Sequence, residues 1–249
     1  MIDQDIIPFI IVGFLAQLID GSLGMAYGVS SNTFLLTLGM SPVLASASVH
    51  TAEVFTTLIS GISHFRLGNV DIGLFKRLVI PGVIGGAIGA YVLVNIPTDI
   101  IKPIVSIYLL LMGLRILYMA YRNIILEKVS TKVGLLGFIG GLFDAIGGGG
   151  WGPIVTTTLI ADGNQPRKAI GSVNASEFFV TVVEAITFFL TLGSLQWNIV
   201  LGLFGGGVIA APIGAFVTRK VPSRWMLIFV GVLISLLSIR TIALSFGGG

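Results

Sequence analysis

A glycine-rich stretch that begins with a carboxylate occurs twice in this chain, and it constrains the fold more than any other feature. The first copy reads Asp20-Gly-Ser-Leu-Gly-Met-Ala-Tyr-Gly28, and the second, 124 positions later, reads Asp144-Ala-Ile-Gly-Gly-Gly-Gly-Trp-Gly152. Each copy interrupts an apolar run that would otherwise form helix. Interruptions at matching places in two halves of a chain are typical of transporter binding sites.

The similarity extends well beyond these two stretches. At the same offset Pro42 matches Pro166 and Glu53 matches Glu177; one inserted residue later, Pro97 matches Pro222 and Arg115 matches Arg240. Chance does not keep so nearly gapless a register over most of a chain. The sequence therefore predicts an internal duplication, with one repeat at residues 1–126 and another at 127–249, which together form a single membrane domain.

The composition indicates a protein that lies in lipid. Of the 249 residues 55% are hydrophobic and 10% are charged, with a mean hydropathy of +1.02, whereas soluble domains carry about 25% charged residues. The net charge of +3 indicates cationic loops rather than a nucleic-acid partner. Because the chain contains no cysteine, disulfides and thiolate metal sites are excluded. The acidic start, Met1 to Asp5, does not resemble a cleavable signal peptide.

The apolar runs predict an all-α polytopic protein with ten helical segments. They lie at 6–20, 29–39, 43–65, 74–94, 100–121, 133–146, 153–161, 167–192, 197–218 and 223–245. A helix of residues 6–20 rises only about 22 Å, which is short of the ~30 Å hydrocarbon core. We therefore expect pairs of half-helices that meet at the glycine stretches inside the bilayer, where protein or a water-filled cavity must surround them.

The positions of Lys and Arg predict the orientation. If the first two segments leave one side and return to it, 11 of the 14 cationic residues lie in loops on the opposite side. These are Arg66, Lys76, Arg77, Arg122, Lys128, Lys132, Arg167, Lys168, Arg219, Lys220 and Arg224. The positive-inside rule makes that side cytoplasmic and places both termini outside. Each half then crosses an odd number of times, so the repeats are predicted to be inverted.

The half-helices that begin after the breaks are candidate anion sites, because helix N-termini present free N–H groups and partial positive charge. The candidate substrate-binding residues at the breaks are Gly24, Tyr27, Gly28, Gly148, Gly149, Trp151 and Gly152. Alternatively, the glycines of the breaks merely allow close helix packing. We assign that packing role to Gly85/Gly89 and to Gly206/Ala210/Gly214.

A polar stripe follows one face of the segment at 43–65, with steps of three and four residues. It consists of Ser46, His50, Glu53, Thr57, Ser60 and His64, and 167–192 repeats it with Asn174, Glu177, Thr181 and Glu184. Carboxylates are costly in a membrane helix and are functional candidates by default. The candidate coupling-ion or proton residues are Asp20, Glu53, Asp144, Glu177 and Glu184. Alternatively, Asp20 and Asp144 cap N–H groups freed by the breaks, and Glu184 and His64 form structural hydrogen bonds.

Three other motifs are incomplete. Gly21-Ser22-Leu23-Gly24 resembles an intramembrane serine protease motif, but both histidines, His50 and His64, lie in one early segment and none follows in a later one, so we expect no enzymatic activity. His50-Thr-Ala-Glu53 has no second histidine at its repeat position, so no metal site and no cofactor are predicted. The glycines at 147–152 lack the Lys-Ser/Thr of a phosphate-binding loop.

With the repeat laid out, the chain resembles the TauE/SafE family of sulfite and sulfonate transporters. The resemblance rests on the breaks, on the turns Gly39-Met-Ser-Pro42 and Gly163-Asn-Gln-Pro166, on the serine-containing runs that follow, and on Gly68-Asn-Val-Asp71. It implies secondary transport of small sulfur-containing anions across a prokaryotic inner membrane. The chain departs from the family pattern at Asp20 and Asp144, in the sparser glycines of the first break, and at His50.

The expected function is therefore alternating-access transport of a small anion. We expect Ser48, Ser172, His50 and Asn174 to surround the anion between the half-helix N-termini. Coupling to H⁺ is favoured over Na⁺, because acids beside an anion disfavour its binding unless they are protonated. The alternatives are an anion channel and a carrier of small carboxylates. The expected partners are the anion, the coupling ion and lipid, with a homodimer left open.

Overall fold

The structure, a computed structural model, describes residues 6–122, 132–217 and 223–246. Within these ranges every regular element is helical, as predicted. The α-helices are α1 Ile7–Leu23, α2 Tyr27–Thr37, α3 Pro42–Arg66, α4 Ile72–Asn95, α5 Thr98–Arg122, α6 Val133–Gly147, α7 Thr157–Ala161, α8 Pro166–Leu192, α9 Trp197–Val217 and α10 Ser223–Phe246. The predictions for Met1 to Asp5 and for the loop cations Lys128, Arg219 and Lys220 fall outside the described residues.

The helix boundaries follow from local chemistry. The Ser41 side chain accepts a hydrogen bond from the backbone N–H of Leu44, and Pro42 occupies the first turn of α3, where its missing N–H costs nothing. Asp71 caps α4 in the same way. α1 and α6 end at Gly24 and Gly148, whose φ angles of 67° and 66° are left-handed, a conformation that glycine adopts without strain.

The two interruptions differ in detail from the predicted ones. α1 continues to Leu23, so Asp20 lies in its last turn, and Asp144 has the same place in α6. After the second break the chain forms a π-helical turn at Gly152–Thr156 before α7. The half-helix predicted at 153–161 is therefore only partly α-helical.

Among the described residues, five helices are long and apolar enough to cross a membrane: α3, α4, α5, α8 and α9. α1 and α6 are shorter, at 17 and 15 residues. Large apolar side chains face outward along the long helices, such as Ile80 at 68% and Leu190 at 76% exposure. In a chain of this composition such a surface contacts lipid, so the protein is a multi-pass membrane protein.

The main helix pairs each join one helix of the first half to one of the second. α1 packs on α9 as α6 packs on α4, while α3 pairs with α8 and α5 with α10. The backbones approach closely where small residues face each other: a side chain at Gly85 would collide with Phe138 of α6, and one at Gly206 would collide with Ile10 of α1. This confirms that these two glycines have a packing role.

The molecule has two distinct ends. At one end, which we call the basic end, α3 finishes and α4 and α8 begin, and it carries Arg66, Lys76, Arg77, Arg167 and Lys168. At the opposite end α2 and α8 finish, and α3 and α9 begin. The breaks lie between the two ends, and all of their glycines are buried.

Candidate functional site

The two breaks touch each other inside the protein. A Cβ atom at Gly28 would lie 2.6 Å from Cα of Gly149, so only a glycine at 28 permits this approach. Gly152 and Met25 are the repeat equivalents of Gly28 and Gly149, and they also pack against each other. The interrupted segments therefore cross at one point, as expected from their places in the repeat.

Side chains from each half also bond to the break of the other half. Asn32 Nδ2 donates to the carbonyl oxygen of Gly147 at 2.7 Å. Thr156 Oγ1 donates to that of Gly24 at 2.6 Å. These bonds satisfy carbonyl groups that the ends of α1 and α6 leave without helical partners.

Each break is capped by its own aspartate. Asp144 Oδ1 accepts hydrogen bonds from the backbone N–H of Gly150 at 2.6 Å and of Trp151 at 2.8 Å. The Asp20 carboxylate accepts one from the N–H of Tyr27, which is the repeat equivalent of Trp151. The backbone N–H groups of Gly148 and Gly149 bond to the carbonyl oxygen of Asp144. Three of the donors at the starts of the half-helices, the N–H groups of Tyr27, Gly150 and Trp151, are thus occupied by the protein itself.

The second oxygen of each aspartate has no hydrogen-bond partner among the described residues. Oδ2 of Asp144 instead lies 3.6 Å from Nε2 of His50. The capping alternative and the functional alternative thus apply to different atoms of the same side chain: one oxygen holds the break, and the other faces the interior.

His50 is the centre of a buried ionisable cluster. Its Nε2 lies 3.2 Å from Oε2 of Glu184, 3.6 Å from Oδ2 of Asp144 and 3.8 Å from Oε2 of Glu53. Helices α3, α6 and α8 each supply a member, and all four side chains are at most 3% exposed. Nε2 and the three facing oxygens have no hydrogen-bond partner in the described part of the chain.

The other ring nitrogen of His50 fixes the tautomer. Nδ1 lies 2.8 Å from the carbonyl oxygen of Ser46, which can only accept, so Nδ1 carries a hydrogen. Oγ of Ser46 in turn donates to the carbonyl oxygen of Ala145 in α6 at 2.7 Å. The ring is thereby held with Nε2 pointing at the carboxylates.

Glu177 and Asp20 extend the cluster. Both are buried, at 4% and 1% exposure, and Glu177 interacts electrostatically with Asp20, Glu53, Asp144 and Glu184. All five candidate coupling carboxylates therefore belong to one charged region. Nε2 of His50 and single oxygens of Asp144 and Glu184 lie within 4.8 Å of one another, close enough to share a proton or another small cation.

The four side chains expected to surround an anion do not come together. Ser172 bonds to the backbone of Asp71 in the α3–α4 loop, and it lies 12 residues, or roughly 18 Å of helix, from Glu184. Asn174 Oδ1 accepts a hydrogen bond from Ser60 at 2.7 Å. Ser48 donates to Leu44 within its own helix. Only His50 faces the cluster, because residues equivalent in the repeat lie toward opposite ends.

The aromatic candidates at the breaks have packing roles. Tyr27 and Trp151 are both 1% exposed or less. The Tyr27 hydroxyl donates to the carbonyl oxygen of Leu203 at 3.3 Å, and Trp151 Nε1 donates to that of Val173 at 3.2 Å. Each ring anchors its break to a neighbouring long helix.

Of the two histidines, His64 is the one whose two ring nitrogens both have hydrogen-bond partners. Its Nε2 lies 3.1 Å from the carbonyl oxygen of Gly21, and its Nδ1 lies 2.9 Å from Nδ2 of Asn69. Both ring nitrogens are thus used in joining α3 to α1 and to the α3–α4 loop. His64 therefore forms structural hydrogen bonds, which was one of the two alternatives for it. Glu184 does not, because neither of its carboxylate oxygens has a hydrogen-bond partner among the described residues.

A set of hydrogen bonds closes the basic end, and it was not predicted from the sequence. Arg167 donates to Oδ1 of Asn69 and to the carbonyl oxygen of Leu67. Lys168 Nζ donates to the carbonyl oxygens of Gly68 and Val70 at 3.0 and 3.2 Å. The family-like Gly68-Asn-Val-Asp71 was the available signal, since this loop presents its carbonyl groups to the start of α8.

The equivalent region at the opposite end is open. There the start of α3 and the α8–α9 loop line a cavity of about 540 Å³, whose walls include Ser41, Leu44, Gln196 and Trp197. Leu44 is the repeat equivalent of Lys168, and Gln196 is that of Asp71. The same interface is therefore closed by hydrogen bonds at one end and hollow at the other.

A helical membrane protein whose two interrupted segments enclose a buried ionisable cluster, closed at one end and hollow at the other, has the architecture of a membrane transporter. The comparisons agree. The chain belongs to the Sulfite exporter TauE/SafE family, whose model matches residues 9–241. It is 45% identical over 250 residues to the Probable membrane transporter protein YtnM of Bacillus subtilis (strain 168), covering 96% of this chain and 83% of that protein. No solved structure matches it.

Proposed function

We propose that this membrane transporter is a secondary carrier that moves a small sulfur-containing anion, such as sulfite or an organosulfonate, by proton-coupled alternating access. The observation that carries the proposal is the buried cluster of His50 and carboxylates at the crossing of the two breaks. The family description names sulfite export, and the chain has the means to handle a proton beside an anion.

The charge of the cluster supports proton coupling. Five carboxylates share the region with one histidine, while Arg115, on a neighbouring helix, is engaged with Thr157 at 2.9 Å. An anion entering among ionised carboxylates is repelled, by about 4 kcal/mol per pair at 4 Å with an effective dielectric constant of 20. Protons that enter with the anion remove this repulsion.

Asp144 provides a specific route for such coupling. Its carboxylate occupies the two backbone donors, Gly150 and Trp151, that an anionic substrate would use. A proton taken up by the cluster gives His50, whose Nε2 lies 3.6 Å from Asp144 Oδ2, a positive charge that attracts this carboxylate and weakens its hold on the two N–H groups, and a substrate anion then takes them. Substrate and proton thus bind together because they act on the same carboxylate.

The difference between the two ends supports alternating access. We propose that the basic end is cytoplasmic, that both termini lie outside in a prokaryotic cell membrane, and that the repeats at 1–126 and 127–249 are inverted. This conformation is then closed toward the cytoplasm by Arg167 and Lys168. Apolar packing of the equivalent segments at the opposite end, where Leu44 and Gln196 now line the cavity, gives the other conformation.

Exchange in reconstituted vesicles tests the proposal. Purified protein is reconstituted with unlabelled sulfite inside, and entry of labelled sulfite is compared with entry of sulfate, organosulfonates and small carboxylates. We expect saturable counterflow of sulfite or a sulfonate and no single-channel currents.

Three results would contradict it. Exchange of carboxylates alone would move the substrate class to carboxylates. Ohmic currents through the purified protein would indicate a channel. Net accumulation of substrate that ignores the pH gradient across the vesicle would remove the coupling.

A further inference from the structure

We propose that the contact between His50 and Glu184 is the coupling-proton site, and that the other half of the duplication retains a neutral version of it in Asn174 and Ser60. This inference rests on the proposed function, which it deepens by assigning the proton to one pair. Two contacts at equivalent places in the repeat support it.

The equivalence is set by the repeat offset. His50 corresponds to Asn174, and Ser60 corresponds to Glu184, all at 124 positions. His50 on α3 faces Glu184 on α8 at 3.2 Å, and Asn174 on α8 faces Ser60 on α3 at 2.7 Å. The same crossing of the same two helices therefore holds one ionisable contact and one neutral contact.

The first anchor of each contact is also equivalent. His50 Nδ1 donates to the carbonyl oxygen of Ser46, four residues earlier, at 2.8 Å. Asn174 Nδ2 donates to that of Ile170, again four residues earlier, at 3.1 Å. Ser46 and Ile170 are themselves a repeat pair, so the two side chains hold the same pose and differ only at the second polar atom.

At that second atom the neutral contact is complete and the ionisable one lacks a proton. The Ser60 hydroxyl supplies the hydrogen that bonds to Asn174 Oδ1. His50 Nε2 and Glu184 Oε2, by contrast, are both acceptors once Nδ1 holds the only ring hydrogen, and both are unpartnered. One proton placed between them forms an N–H···O bond, and no other bond needs to form or break.

Several titratable side chains surround this pair. Glu53 of α3 and Asp144 of α6 face it at 3.8 and 3.6 Å from Nε2. On α4 the backbone faces this pair at Gly86, where a Cβ would lie 2.6 Å from Glu184 Oε1. Other charged or titratable groups near the cluster are Glu177 of α8, Asp20 of α1, Tyr27 of α2, and Tyr108 and Arg115 of α5.

The site also lies on the open side of the protein. His50 and Ser60 are separated by about 15 Å along α3, at 1.5 Å per residue. His50 is the one nearer the cavity, because Leu44, which lines it, lies only about 9 Å away along the same helix. The ionisable pair is therefore nearer the open end, and the neutral pair is nearer the closed basic end.

The duplication provides its own test variant. H50N/E184S installs the residues that the other half already uses, so the double variant keeps a contact that this fold accommodates. With the membrane potential clamped, one coupled proton changes the steady-state accumulation of substrate about tenfold per pH unit, since 1.4 kcal/mol is a factor of ten. We expect this dependence in wild type and in Ser60→Ala, and none in H50N/E184S.

The outcomes separate the two proposals. Counterflow without pH-driven accumulation in wild type overturns the proton site but leaves the carrier. Accumulation that still follows pH in H50N/E184S places the proton elsewhere and also overturns it. Absence of anion counterflow in wild type refutes the proposed function instead.

A second measurement does not depend on transport. In a His64→Gln background His50 is the only histidine, and its ¹⁵N signals are followed between about pH 4 and 10, a range that spans the usual titration of histidine. We expect Nδ1 to carry a hydrogen throughout, and the Nε2 signal to change in Glu184→Gln. An unchanged Nε2 signal in Glu184→Gln, or stoichiometric Zn²⁺ in wild type that H50N/E184S lacks, would overturn the proposal.

Discussion

Replacement of Asp144 distinguishes its capping oxygen from its charge. Asp144→Ala leaves the buried N–H groups of Gly150 and Trp151 without acceptors, each at a cost of about 1–3 kcal/mol, so the total is about 2–6 kcal/mol. Asp144→Asn keeps an oxygen at the same place and exchanges two charge-assisted bonds for neutral ones, a loss of about 1 kcal/mol each. Removing one of five mutually repelling carboxylates offsets part of that loss.

The assay is equilibrium unfolding in mixed detergent micelles, followed by circular dichroism. Asp71 is a matched control, because its Oδ1 also accepts from two backbone N–H groups, those of Gly73 and Leu74, at 2.8 and 3.0 Å, but at an exposed position. Water replaces a lost cap there, and Asp71→Ala costs only about 0.5–2 kcal/mol. Equal losses for Asp144→Ala and Asp144→Asn, or a loss for Asp144→Ala no larger than for Asp71→Ala, would refute the reasoning.

Three further substitutions test other parts of the fold. Gly28→Ala places a methyl group 2.6 Å from the facing backbone and should cost about 1–3 kcal/mol of unfolding free energy; Gly205→Ala, with nothing within 4 Å, should be neutral or slightly stabilising. Arg167→Ala weakens the closed basic end by about 1 kcal/mol and should speed thiol labelling of a single Ser176→Cys about fivefold; an unchanged rate would show that Arg167 does not hold this end closed. His64→Ala loses two hydrogen bonds, about 1–3 kcal/mol, and should leave the pH response of transport intact; a lost response would assign His64 a coupling role.

The fold was predictable because its determinants are local. Runs of apolar residues set the helix lengths, and Ser41-Pro42, Asp71 and Pro166 mark helix starts in the sequence itself. The contact between the two breaks followed from their matching places in the repeat. Sequence spacing also placed His50 and Glu53 on one face of α3, which the structure bears out.

The composition of the site was less predictable, because it depends on how helices cross. Nothing in the sequence states that Glu184, 134 positions from His50, is its nearest carboxylate. The prediction that Ser48, Ser172 and Asn174 join His50 could not take account of how the helices cross, which places repeat-equivalent residues toward opposite ends. The occupation of the break donors by Asp144 depends on backbone geometry within the turn, which residue types alone do not determine.

The central claim is that access to the buried cluster alternates between the two ends, and paired spin labels test it most directly. Because the chain contains no native cysteine, labels can be placed at Lys76 and Gln165 on the basic end, and at Leu38 and Ser194 on the opposite end. Saturating substrate in a proton gradient should lengthen the first distance and shorten the second. Distances that stay fixed, or that lengthen together, would contradict the account.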